Sequence, residues 1–160
     1  MSTGSDGSAT ARRWLRLALV ALALEMFALG VPASVAPGWF YRWFPLGRGW
    51  VSATGAYNEH SMLDFGYVSV ALGVVLVWAA VRLGRELCRA AAVATVVANV
   101  PHLLFHAGHT RELPTGDNLA QDSLLALSVV IGVGALLLTV YRPSATTPDR
   151  LPAGRQADGA

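Results

Sequence analysis

The sequence predicts an all-α fold, an integral membrane bundle of four helices, and three observations carry that prediction. Apolar residues make up 54% of the 160-residue chain and charged residues only 14%, a balance too hydrophobic for an ordinary soluble domain. The excess is gathered into four runs, at about 14–31, 61–81, 87–107 and 119–141. Each is close to the ~20 residues a helix needs to cross the hydrocarbon core of a bilayer, and backbone amides find no partner in lipid, so such runs must be helical. All twelve basic residues are arginines, and nine of them fall on one side of the four runs. Arg12, Arg13 and Arg16 precede the first run, Arg82, Arg85 and Arg89 join the second to the third, and Arg142, Arg150 and Arg155 follow the fourth; Arg42, Arg48 and Arg111 lie opposite. That asymmetry predicts a multi-pass protein of the bacterial cytoplasmic membrane with both termini cytoplasmic. A chain without lysine and rich in alanine, valine, glycine and leucine also fits a GC-rich coding sequence.

The elements follow in order. Residues 1–11 and 143–160 are small, polar or rich in Pro and Gly, and both are expected to be disordered cytoplasmic tails flanking a transmembrane domain over 12–142. The stretch "ARRWLRLALVALALEMFALGVPASVA" has the layout of a secretory signal. Glu25 interrupts its apolar part, however, and Pro37 follows the best cleavage position, Ala36, so a retained helix is expected. The connection over 32–60 places Trp39, Phe40, Tyr41, Trp43, Phe44 and Trp50 close together. Rings of this kind favour the headgroup level, as an interfacial anchor or as a lid over a pocket, two roles that are compatible. Asn58 is placed to cap the second helix, with Glu59 in its first turn. Pro101 interrupts the hydrogen-bond ladder of the third helix, which invites a kink, and Asn99 stands ready to satisfy part of the deficit. Asp117 or Asn118 can cap the fourth. The lone Cys88 excludes an intrachain disulfide and a zinc ribbon and reads as a packed thiol near a helix end. No basic, aromatic-interleaved surface for nucleic acid is present.

The candidate functional residues lie toward one end of the bundle. At 100° per residue, His102, His106 and His109 fall within about 60° of one another on the third helix. His60 and Asp64, four apart, share a face of the second. With ~1.5 Å per residue, Glu25, Asp64 and His102 lie roughly 7–10 Å below the same boundary and Asp122 is a little shallower. Ionisable groups inside a span cost several kcal/mol unless paired or hydrated, and by default they mark function. Plainer roles exist for some of them: Glu59, Asp117 and Asp122 serve equally as caps or first-turn acids, and His109 suits an interface.

Three chemistries fit this constellation. A metal site would draw on His60, Asp64, His102, His106 and His109 for zinc, iron or manganese, although neither Glu-x-x-His nor the H-E-x-x-H signature occurs. A haem would need His60 opposite His102 or His106. Metal-free acid–base or proton-transfer chemistry would use His102 and His106 as bases, Asp64 as orienter and Glu25 as buried acid. The partner in that case is a lipophilic small molecule. An enzyme, a proton-coupled transporter and a non-catalytic accessory subunit all remain open, and the sequence is compatible with an oligomer.

"YNEHSMLDFG" and "NVPHLLFHAGH" together resemble a family of small four-span actinobacterial membrane proteins. In that family an N-E-H…D segment opens the second helix and P-H-x-x-F-H-x-x-H ends the third. Asn58, Glu59, His60, Asp64, His102, His106 and His109 match the pattern. The resemblance implies a four-helix bundle and carries no activity. At the level of architecture the chain is also similar to the DoxX-type four-helix membrane proteins.

Overall fold

The structure, a computed structural model, describes residues 3–109 and 112–140. The elements are α1 (Thr3–Val35), α2 (Pro37–Trp43), a single 3-10 turn at Ser52–Thr54, α3 (Glu59–Arg82), α4 (Arg85–Gly108) and α5 (Thr115–Val140). Four of these helices, α1, α3, α4 and α5, are long and apolar enough to cross a membrane, so the chain reads as a multi-pass membrane protein with an all-α fold. One expectation is corrected: the N-terminal segment read as a disordered tail is helical from Thr3. No proline occurs before Pro32, and once the apolar part of a helix exists each further residue adds one hydrogen bond. The expected tail at 143–160, with Arg111 and Arg142, lies outside the described residues.

Local chemistry sets the breaks. Pro37 has no N–H and disfavours the helical region for the residue before it; Ala36 accordingly sits at φ −145°, ψ 61°, and Pro37 occupies the start of α2. Asn58 caps α3 as expected, its side chain accepting from the Ser61 amide at 3.1 Å. At the other end Leu83 turns left-handed (φ 50°) and its amide donates to Ala79 O. Gly84 then opens α4 directly. α4 continues through Pro101 to Gly108. Asn99 is buried with no partner for its Nδ2, so its amide does not satisfy the carbonyls that Pro101 frees. The contrary expectation fails because Asn99 is turned into the bundle.

The helices pair tightly as α1 with α3 and α4 with α5, and α1 also packs on α5. Small residues make the first pair close. A Cβ on Gly66 would stand 2.6 Å from Ser34 Oγ and 2.7 Å from Ser34 N, and one on Gly30 would stand 2.8 Å from Val70 N. This is the small-residue approach expected of helices that associate in lipid, where packing replaces the hydrophobic drive. The two ends of the bundle differ. Toward the α3–α4 turn, Leu15, Leu19, Leu22, Leu76, Cys88, Ala92 and Ala135 form a solid, fully buried core. Cys88 is thus a packed thiol, its Sγ 3.6 Å from Ala79 O. Large apolar side chains such as Leu24, Val68, Trp78, Val97 and Val130 point outward instead, the belt that a hydrocarbon surround requires. Toward the end that carries α2 and the α4–α5 loop, the bundle is hollow.

Candidate functional site

That hollow is a cavity of about 750 Å³, within the range of small-molecule sites. α1 supplies Ala21, Glu25 and Leu29 at helical spacing, and α5 supplies Gln121, Leu125 and Ser128. α4 adds His102, Phe105 and His106. The roof is the connection after α1: Phe40, Phe44 and Trp50 face the cavity, and Phe40 and Trp50 are buried. Phe40 stacks on Phe44 at 4.6 Å between centroids and meets Phe65 of α3 at 6.0 Å. Trp39 and Trp43 of the same segment are about half exposed. The aromatic segment therefore caps a pocket with one face, as the lid expectation requires, and leaves Trp39 and Trp43 exposed on the other.

The roof is tied down by a contact that the sequence reading missed. Arg48 donates to the Asp117 carboxylate at 2.5 Å, and Asp117 is buried at 9% exposure. Asp117 had two plain uses open to it, as a cap or a first-turn acid. A single arginine in a distant loop gives no spacing from which such a pair could be found. Gly49 beside it is held at φ +64°, and a Cβ there would lie 2.9 Å from Ser52 Oγ and 3.1 Å from Arg42 O, so this corner of the roof requires glycine.

Two polar units face the cavity. The Ser128 hydroxyl lies 2.6 Å from Glu25 Oε1 and 3.0 Å from Leu124 O, one proton for two acceptors. If Glu25 carries a proton, its carboxyl donates to Ser128 Oγ and Ser128 donates to Leu124 O; as a carboxylate it accepts from Ser128. The site thus accommodates either form with the same heavy-atom positions. The second unit is the pair His102 and His106, Nε2 to Nε2 at 3.0 Å with rings stacked at 4.8 Å. That bond needs one ring to donate and the other to accept, so the pair holds one shared proton and loses the bond if both nitrogens are protonated.

The remaining expected residues lie elsewhere. His60 and Asp64 contact each other at 3.3 Å on an exposed part of α3. The cavity-lining residues of that helix are Met62 and Phe65; at 100° per residue Asp64 lies about 160° from Met62 and about 100° from Phe65, which turns it away. His109 stacks on Phe105 at 4.1 Å, its Nδ1 2.7 Å from Phe105 O. The five-residue metal set is therefore divided among three places, and among the described residues no three His, Cys, Asp or Glu side chains gather as metal ligands. Opposed ligation of a haem by His60 and an α4 histidine meets the same obstacle. No protein-family model, no curated protein and no solved structure matches the chain.

Proposed function

We propose that this membrane bundle binds a lipophilic small molecule in the cavity beneath the aromatic roof and carries out acid–base chemistry on it. The observation that carries the reading is the convergence of Glu25, His102 and His106 on the wall of one largely apolar cavity. The Glu25–Ser128 unit is the acid or proton reservoir, and the His102–His106 pair is the base that takes up or returns a proton. Gln121 and Ser128 supply the neutral polar contacts. Asp64, His60 and His109 take no part. The arginine distribution favours an orientation in which this cavity faces the outside of the membrane. A Leu46→Cys substitution in a Cys88→Ala background tests this placement: Leu46 is 97% exposed and should react with an impermeant maleimide in intact cells, and protection there would reverse the orientation.

The functional test incubates lipophile extracts with the wild type in nanodiscs, beside Glu25→Gln and His102→Ala/His106→Ala, and compares them by mass spectrometry. A molecule chemically changed by the wild type and left intact by both variants supports catalysis. A molecule bound by all three and changed by none rejects the catalytic role and leaves binding or transport. A second reading, a metal held by the Nε2 atoms of His102 and His106, is favoured only by the closeness of those two nitrogens. Elemental analysis of protein prepared without chelators decides it: zinc, iron or manganese lost in the double histidine variant supports it.

A further inference from the structure

A second cleft, of about 290 Å³, lies at the opposite end of the bundle, between α1 and the last residue of the α3 turn. Its α1 side is formed by Ala9, Arg12, Arg13 and Arg16, positions i, i+3, i+4 and i+7 of one helix face. Leu17 and Leu83 line it as well. Arg16 donates its Nε–H to Ala80 O at 3.1 Å, which fixes its guanidinium over the carbonyl end of α3. Arg12 and Arg13, both exposed, have no acidic partner among the described residues. The level matters as much as the charge. The apolar part of α1 begins at Trp14, whose ring is 59% exposed, and Leu17 one turn deeper is 49% exposed. Arg12 and Arg13 therefore directly precede the apolar part of α1, with the exposed Trp14 beside them and the half-exposed Leu17 one turn on.

We propose that this cleft is a binding site for the headgroup of an anionic phospholipid. The guanidinium forks of Arg12 and Arg13 match phosphate oxygens bidentately. Ala9, the small residue of the face, leaves room for the headgroup, and Leu17 and Leu83 receive the start of an acyl chain. A soluble phosphate would use the arginines and gain nothing from the leucines, so the lipid is the better fit. This site is independent of the cavity and of any chemistry there.

Native mass spectrometry of the full chain tests it, with phosphatidylglycerol and phosphatidylcholine of identical acyl chains offered together. The wild type should retain one phosphatidylglycerol in preference. Arg12→Gln/Arg13→Gln should lower that preference by about 25-fold, at about fivefold per arginine near a charged leaflet. Arg12→Lys/Arg13→Lys, which keeps charge and loses the forks, should fall between. Arg42→Gln, at the other end of the bundle, should leave the preference unchanged. Circular dichroism on each variant confirms that the bundle persists. Equal retention of both lipids by the wild type, or the same loss in Arg42→Gln, would overturn the proposal. So would displacement of the lipid by millimolar inorganic phosphate, which would make the cleft a phosphate site.

Discussion

Glu25 is held by a serine one helix away. Removing Ser128 takes the hydrogen bond from a half-buried carboxyl in an apolar cavity, a change that typically costs about 1–2 kcal/mol. Ser128→Ala should therefore lower the unfolding temperature in detergent, whereas Glu25→Gln, which retains a group able to bond Ser128, should stay close to the wild type. Equal behaviour of the two variants would mean that the 2.6 Å contact contributes nothing. At this scale the sequence revealed some partners and hid others. Glu25, His102 and His106 were legible because an ionisable group in an apolar run is conspicuous. Ser128 was not, because helical serines commonly bond their own preceding turn, as this one also does. His60 and Asp64 were legible as a pair, but the pair lies on an exposed part of α3 away from the cavity, because four-residue spacing fixes a shared face without saying which way that face points.

Among the elements, two contacts decide whether the site exists. The first is the α1–α3 seam. A Cβ on Gly66 would press on Ser34 backbone as well as its side chain, and overpacking of that kind costs about 1–3 kcal/mol. Gly66→Ala should destabilise the bundle, while Gly134→Ala, where nothing lies within 4 Å, should be neutral or stabilising by up to ~1 kcal/mol through helix propensity. Thermal unfolding of the two variants side by side checks the contrast. The second contact is the strap on the roof. Arg48 is largely exposed and Asp117 is not, so Arg48→Ala should cost between the ~0–1 kcal/mol of a surface pair and the ~3–5 kcal/mol of a buried one. Cleavage of the segment between Pro45 and Tyr57 by protease should accelerate in that variant, and an unchanged rate would show that the strap does not hold the roof. The four long helices were legible from hydropathy and the start of α3 from Asn58, whereas α2 was not, and α5 begins at Thr115, ahead of the caps expected at Asp117 or Asn118. The seam and the strap depend on which helices become neighbours, and four similar apolar runs do not specify that.

At the scale of the whole molecule, the bundle is solid at one end and hollow at the other. Leucines and alanines fill the first half; in the second, the polar residues of α1, α4 and α5 meet beneath a roof that no transmembrane helix provides. The sequence foretold the membrane class and the gathering of polar groups toward one end. The cavity itself was beyond it, because a void is the residue of all packing contacts together. The central claim, that a lipophile occupies this void, is tested most directly by photolabelling the protein in nanodiscs with a long-chain alcohol bearing a diazirine and mapping the adducts. Occupancy predicts adducts on residues 21–29, 102–106 and 121–131, lost when Leu125→Trp fills the space. Adducts confined to outward-facing positions such as Val68, Val97 and Val130, and indifferent to Leu125→Trp, would contradict it.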